Sequence, residues 1–404
     1  MTIPRSIVPF AAACGGILLG TLVGCHGRDI TGVEVPVATA LSTGEYFGCR
    51  LSNSGAASCW GSNVSGQLGN PSASGPEYCA THPCSTTPIS VRGGRTFVAI
   101  SSAGAGSCGL GTDGAAFCWG GNWVGQLGNG STADTSVPVA VSGGLTFASL
   151  SAGNDHACGV TRGGGILYCW GARHWLIGNV DTAGADRAPV AIGGGLAVSA
   201  VSAGYDHNCA VTSGGAIYCW GSNFAGQLGT GDTVNRQGPT PVLGGLTFTA
   251  VSAGFSHTCG LAAGGSAYCW GDNQYGELGD GDTTGYRLTP VPVAGGLTFT
   301  SISAGFDVTC GLTSTGAALC WGVNALGLLG NGTTSGPQSC NGVACGSMPI
   351  AVVGGHTFVA LSTRNSTCAL TADGAVYCWG VNDQGQLGDG STSNRQSPVR
   401  VAGT

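Results

Sequence analysis

The sequence predicts an all-β protein, a seven-bladed β-propeller of four-stranded antiparallel blades. Three observations lead there. Cys-Trp-Gly recurs with tryptophans at Trp60, Trp119, Trp170, Trp220, Trp270, Trp321 and Trp379, about fifty residues apart, a period in the range of propellers and solenoids. Each period holds four short runs of β-branched, aromatic or alternating residues bounded by Gly, Asn, Asp or Pro, which read as strands. One glycine-rich four-stranded sheet buries too little apolar surface to stand alone, so the repeats must pack radially.

In chain order, residues 1–24 come first: one basic residue, Arg5, then an uncharged run from Ile7 to Val23, the pattern of an export signal. The end of this run, Leu22-Val23-Gly24-Cys25, resembles the lipobox of bacterial lipoproteins. The resemblance implies cleavage before Cys25, a lipid on Cys25 and loss of Cys14. Gly15, Gly16 and Gly20 make a poor permanent membrane helix. A plain secretory signal and an N-terminal membrane anchor are the alternatives. Residues 25–33 are expected to be a tether and 34–404 the propeller.

Within one repeat, LTFTAVSAG (Leu246 to Gly254) reads as strand A, HTCGL as B, SAYCW as C and TPVPV (Thr289 to Val293) as a short D. The propeller begins on an A-type strand within Glu34 to Ser42 and ends on a D-type strand, Ser397 to Val401. If each blade takes D from the preceding repeat, the C-terminal strand completes the first blade and clasps the ring by pairing the chain ends. In the other register each repeat is its own blade. Two insertions, at about 71–86 and 333–347, widen the first and last spacings.

Folding the B–C hairpin around Ala263 to Gly265 sets Cys259 opposite Cys269, close to the geometry a disulfide requires. The same register pairs Cys49 with Cys59, Cys108 with Cys118, Cys209 with Cys219, Cys310 with Cys320 and Cys368 with Cys378. It also pairs Cys158 with Cys169, where one extra residue predicts a bulge. Cys79 with Cys84 and Cys340 with Cys345 would staple the insertions. An exported chain matures where thiols oxidise. Zinc fits poorly, since each blade offers two thiols and a site needs four converging ligands. Free core cysteines are the remaining alternative.

After loss of Arg5, twelve arginines face nineteen acids, a net charge of about −7, and there is no lysine. No concentrated basic surface is available for phosphates, so no nucleic-acid partner is expected.

SAGFSHTCGL followed by YCWGDNQYGELGDGDTT resembles the repeat of the regulator-of-chromosome-condensation family, roughly SAG-x-x-H and then WG-x-N-x-x-GQLG. Matches recur at Gly125 to Gly128, Gly226 to Gly229 and Gly385 to Gly388, and the resemblance runs from Pro36 to Val401. Repeat three departs with ARHWLIGN (Ala172 to Asn179), and the family histidine stands only at His156, His207 and His257. The resemblance implies a closed ring of antiparallel blades. Some members are nucleotide exchange factors for a small GTPase, and bacterial relatives include a secreted inhibitor of β-lactamases. A chain outside the cytoplasm never meets that GTPase, and repeat three carries no wedge-like insertion of the exchange-factor type.

No catalytic residue, metal cluster or cofactor motif stands out. The three histidines are read as structural ties of the A–B loop, with catalysis as the minority reading. The tryptophans are read as packing residues, with ligand stacking as the alternative. Asp280-Gly281-Asp282 lacks the ligand count of a calcium loop and suits Asx turns. Strand alternation places the A–B and C–D loops on one side. Tyr46, Asp155, Tyr205, Asp206, Phe255, Phe306, Asp307 and Arg364 lie in the inner A–B loops, and aromatics beside acids on a rigid ring make interface anchors. The expected function is a lipid-anchored, non-enzymatic propeller of the bacterial envelope that binds a protein through this face. An enzyme inhibitor of the β-lactamase-inhibitor type is the alternative, and guanyl-nucleotide exchange activity, which the family resemblance implies, is the further one.

Overall fold

The computed structural model describes residues 40–71, 77–178 and 185–404. The expected signal segment, Cys25 and the expected tether lie outside the described residues. Seven antiparallel sheets follow one another along the chain, each ordered A-B-C-D from the axis outward. In blade five these strands are Phe248–Ala253, His257–Ala262, Ala267–Asp272 and Tyr286–Pro292. The first and sixth sheets gain a fifth strand, Glu77–Cys79 and Gln338–Cys340, from the two insertions. One helical turn, His174–Ile177, replaces the C–D loop pattern of repeat three.

The period of two in each strand sends its apolar residues between blades. Seven buried clusters result, each shared by consecutive blades. In one, Cys259, Leu261, Cys269 and Leu278 of blade five pack against Phe299 and Trp321 of blade six. The seven repeated tryptophans are fully buried, which settles them as packing residues. Gly229 shows why the loop before each of them needs glycine: it sits at φ +68°, and a Cβ there would lie 2.9 Å from the Trp270 indole nitrogen.

The disulfides pair the cysteines in the register read from the sequence, from Cys49–Cys59 to Cys368–Cys378 and in both insertions. The blade pairs have Cα atoms 4.1 Å apart. They lie in the inter-blade cores, where they act as apolar filling as well as covalent staples. The B–C pairing of this blade lacks the expected bulge. Cys158 and Cys169 pair directly, and the extra residue enters the turn, where Gly163 and Gly165 adopt positive φ.

Ring closure uses the second register. The C-terminal strand Arg395–Arg400 pairs with Val376–Gly380 of its own repeat, and blade one has its own D strand, His82–Ser90. The expected clasp of exchanged strands is therefore replaced by ordinary blade-to-blade packing. Trp60 of blade one completes the core of blade seven with Leu370, Val376 and Leu387.

A circuit of serines does the same at the axis. In every blade the serine opposite the first cysteine accepts a backbone N–H from the next blade: Ser42 from Ser102, Ser101 from Ala152, Ser151 from Ala203 and Ser202 from Ala253. Ser252 accepts from Ala304, Ser303 from Thr363, and Ser362 from Thr43, which returns to blade one. Each bond lies between 2.8 and 3.0 Å. The polar edges of the inner strands are satisfied without strand exchange.

Candidate loop face on the inner turns

The A–B turns and the starts of the C–D loops share one face, because they are hydrogen-bonded to each other. Ser62 N–H donates to Tyr46 O, Ala172 to Asp155 O, Ser222 to Asp206 O and Val323 to Asp307 O, each at 2.8–2.9 Å. The inner turns also interlock around the axis. Tyr205 N–H donates to Gly254 O, and Phe255 N–H donates to Gly305 O. A Cβ on Gly254 would lie 2.5 Å from Gly305 O, so this approach requires glycine.

On that framework Tyr205, Phe255 and Phe306 come together from three consecutive blades. Their ring centroids are 4.5 Å apart for Tyr205–Phe255, 5.1 Å for Phe255–Phe306 and 5.8 Å for Tyr205–Phe306. All three side chains are partly exposed, and Tyr46 is exposed. Asp155, Asp206, Asp307 and Arg364 are half-buried beside them. Burial, then the neighbouring Asp206, raises the Asp155 carboxyl. Burial raises Asp206, and burial with Asp272 nearby pushes Asp307 up to about 6. One Asp155 carboxylate oxygen is buried without a hydrogen-bond partner. Burial pushes the Arg364 guanidinium down to about 10, with Glu45 and Tyr205 opposing the shift. The phenols of Tyr46 and Tyr205 are raised by burial first and by Glu45 second.

The histidines lie just behind this face and do not tie the A–B loop. His156 Nε2 bonds Asn208 Oδ1, while His207 and His257 Nε2 bond the Thr258 and Thr309 hydroxyls. Those hydroxyls donate onward to Gln227 O and Glu277 O, so both imidazoles carry their proton on Nε2. Each histidine stands where the following blade offers a polar partner. At the blade two–three junction Gly106 and Ala157 occupy the corresponding places and line a small void. Burial holds His156 at about 4 and His207 and His257 at about 3, and their Nδ1 atoms have no partner. They are neutral and inaccessible, in keeping with a structural role.

Asp280 and Asp282 are bridged by Arg287 at 2.8 Å each. Among the described residues no group of three or more His, Cys, Asp or Glu is arranged to hold a metal ion.

The RCC1-like domain model matches residues 24–361, and the regulator of chromosome condensation repeat matches 350–386 and 373–404. The chain belongs to the RCC1-like domain family. Over 111 residues this RCC1-like chain is 34% identical to the human E3 ubiquitin-protein ligase HERC2, a match covering 26% of the chain and 2% of the ligase. Among solved structures it resembles Prp20p of Saccharomyces cerevisiae, with a TM-score of 0.74 at 20% identity over 86% of each chain. It also resembles human WBSCR16, with a TM-score of 0.73 at 21% identity over 85% of this chain and 92% of that one. At these identities the structural likeness speaks for the fold alone.

Sequence reasoning missed an outer ring on the same face of the RCC1-like propeller. Val64, Trp123 and Phe224 follow the repeated asparagines Asn63, Asn122 and Asn223, and Leu326 comes two places after Asn324. They are 58%, 49%, 54% and 43% exposed. The available signal was the asparagine. Its side chain is spent inside the loop, as where Asn223 Oδ1 accepts Leu228 N–H and Nδ2 reaches Val234 O. The residue after it therefore projects outward. The stapled hairpins rise on this side too: Pro83 O accepts Asn63 N–H, and Ala344 O accepts Asn324 N–H.

Proposed function

We propose that this chain is an exported, lipid-anchored RCC1-like propeller that binds a protein through the loop face. The observation that carries the reading is the meeting of Tyr205, Phe255 and Phe306 on the inner A–B turns, partly exposed on turns locked by backbone hydrogen bonds. Rigid aromatics lose little entropy on docking and dominate interface energies. Trp123, Phe224, Val64 and Leu326 extend the apolar surface outward. Nine disulfides among the described residues suit an oxidising compartment, and Leu22 to Cys25 supplies the anchor.

A second reading, inhibition of an enzyme, is favoured by the stapled hairpins of Cys79–Cys84 and Cys340–Cys345, which lie against the starts of C–D loops on the same side. Affinity capture from envelope and culture fractions, with mature propeller as bait, tests the face. The triple variant Tyr205→Ala, Phe255→Ala, Phe306→Ala should fold and lose the specific partner. Retention by the folded variant refutes the assignment. A captured enzyme that loses activity on binding selects the inhibitor reading.

A further inference from the structure

We infer that the inner turns of the loop face receive a cationic side chain, an arginine or lysine projected by a basic segment of the protein partner. This rests on the loop face being the docking surface and specifies what enters it. The first support is an imbalance of charge. Glu45, Asp155, Asp206 and Asp307 stand on the inner turns, with Asp272 and Asp383 just outside them, against Arg364 as the cation of those turns. The ion pairs found among the described residues, Arg236–Asp232, Arg287–Asp280, Arg287–Asp282 and Arg395–Asp389, lie on the C–D loops and involve none of these inner carboxylates.

The second support is that the acids are compensated only in part: Arg364 interacts electrostatically with Glu45, and Asp155 has a side-chain hydrogen bond with Asn154. The Asp155 oxygen that is buried has no partner, which leaves that carboxylate's charge incompletely compensated and favours a cation held nearby. The third is the aromatic platform. Tyr205, Phe255 and Phe306 form a continuous partly exposed surface, and a guanidinium or ammonium over such faces is drawn by the ring quadrupoles. Aromatic faces and desolvated carboxylates around one point make a receptor for an organic cation. An acidic or purely aliphatic segment would meet repulsion or leave the carboxylates unpaired.

The test titrates the mature protein with two blocked peptides, acetyl-Gly-Arg-Gly-Arg-Gly-amide and its glutamate counterpart, and follows heat by calorimetry. The arginine peptide should bind about tenfold or more tightly than the glutamate peptide, with an affinity that falls as salt rises. Asp155→Asn with Asp206→Asn should weaken it by about tenfold without lowering the thermal midpoint, since like charges are removed. Equal binding of the two peptides, no binding of the arginine peptide, or an unchanged double variant overturns the inference. The two readings fail separately. A captured partner lost by the aromatic triple variant but kept by the Asn double variant leaves the docking face standing and removes the cation.

Discussion

Thr43 of blade one donates its backbone N–H to the Ser362 hydroxyl of blade seven at 3.0 Å, and the two hydroxyls lie 2.9 Å apart. This contact joins residues 319 positions apart in the chain, yet it repeats the bond that every other pair of neighbouring blades makes. Ser362→Ala should therefore cost about 1–2 kcal/mol, the penalty of an unsatisfied N–H, as Ser202→Ala should, plus about 1 kcal/mol at most for the Thr43 hydroxyl contact that Ser202 lacks. Denaturant midpoints of the two variants check this. A far larger loss for Ser362→Ala would mark the seam as special.

Glu277 takes the place that Gln67, Gln126, Gln227 and Gln386 hold in other blades, and its Oε2 accepts Tyr275 N–H in the same way. Burial, with Asp272 and Asp307 adding, pushes its carboxyl up to about 8 from 4.5. Between those values the folded protein keeps a proton that the unfolded chain has released. Stability on this account falls as pH rises through the window and is level above it. Glu277→Gln should match wild type at acid pH and exceed it by a few kcal/mol at about pH 9. Melting curves across pH read the difference.

The histidines act on the other limb. Unfolded imidazoles titrate at 6.5, while burial holds folded His207 and His257 at about 3. The unfolded chain binds more protons in between, so their contribution is complete above 6.5 and is lost as pH falls toward 3. His207→Phe, the residue blade one has as Phe47 at this position, should be less stable at neutral pH because Thr258 loses a partner. It should also lose less stability on acidification than wild type. Parallel acid limbs would contradict the assignment.

Each blade disulfide joins cysteines ten or eleven positions apart, worth somewhat under ~3 kcal/mol in the chain-entropy account. Replacing Cys259 and Cys269 together by Ala should lower the midpoint by that order, with an added cost from the lost core volume. Intact mass should rise by two hydrogens per bridge on reduction. Extensive alkylation of the native protein without reductant would show the thiols to be free.

Cys25→Ser should release the protein from membranes or block its maturation. The mature N-terminus, read by mass spectrometry, should be a lipid-modified cysteine. An unmodified N-terminus elsewhere excludes the anchor.

The blade count, the cysteine register and the shared side of the A–B and C–D loops were legible because each follows from a period, of fifty residues or of two. The closing register was not legible. Ser397 to Val401 reads as the same strand whether it pairs within its own repeat or across the seam. The histidine partners were equally hidden, since Asn208, Thr258 and Thr309 lie in the next repeat, and which residue they face depends on how blades nest. Trp123 and Phe224 were missed because exposure after an asparagine depends on where its amide is used. The aromatic trio was found because its members recur at one place in consecutive repeats.

The serine circuit has a consequence for connectivity. Ala40 O accepts Leu51 N–H, and Gly403 O accepts the Arg50 guanidinium, so the first described residue and Gly403 lie beside one short segment of blade one. The natural break is then one seam among seven alike. A circular permutant with these ends linked and a new opening at the solvent-facing Gly244-Gly245 turn should assemble the same ring, because no blade depends on where translation starts.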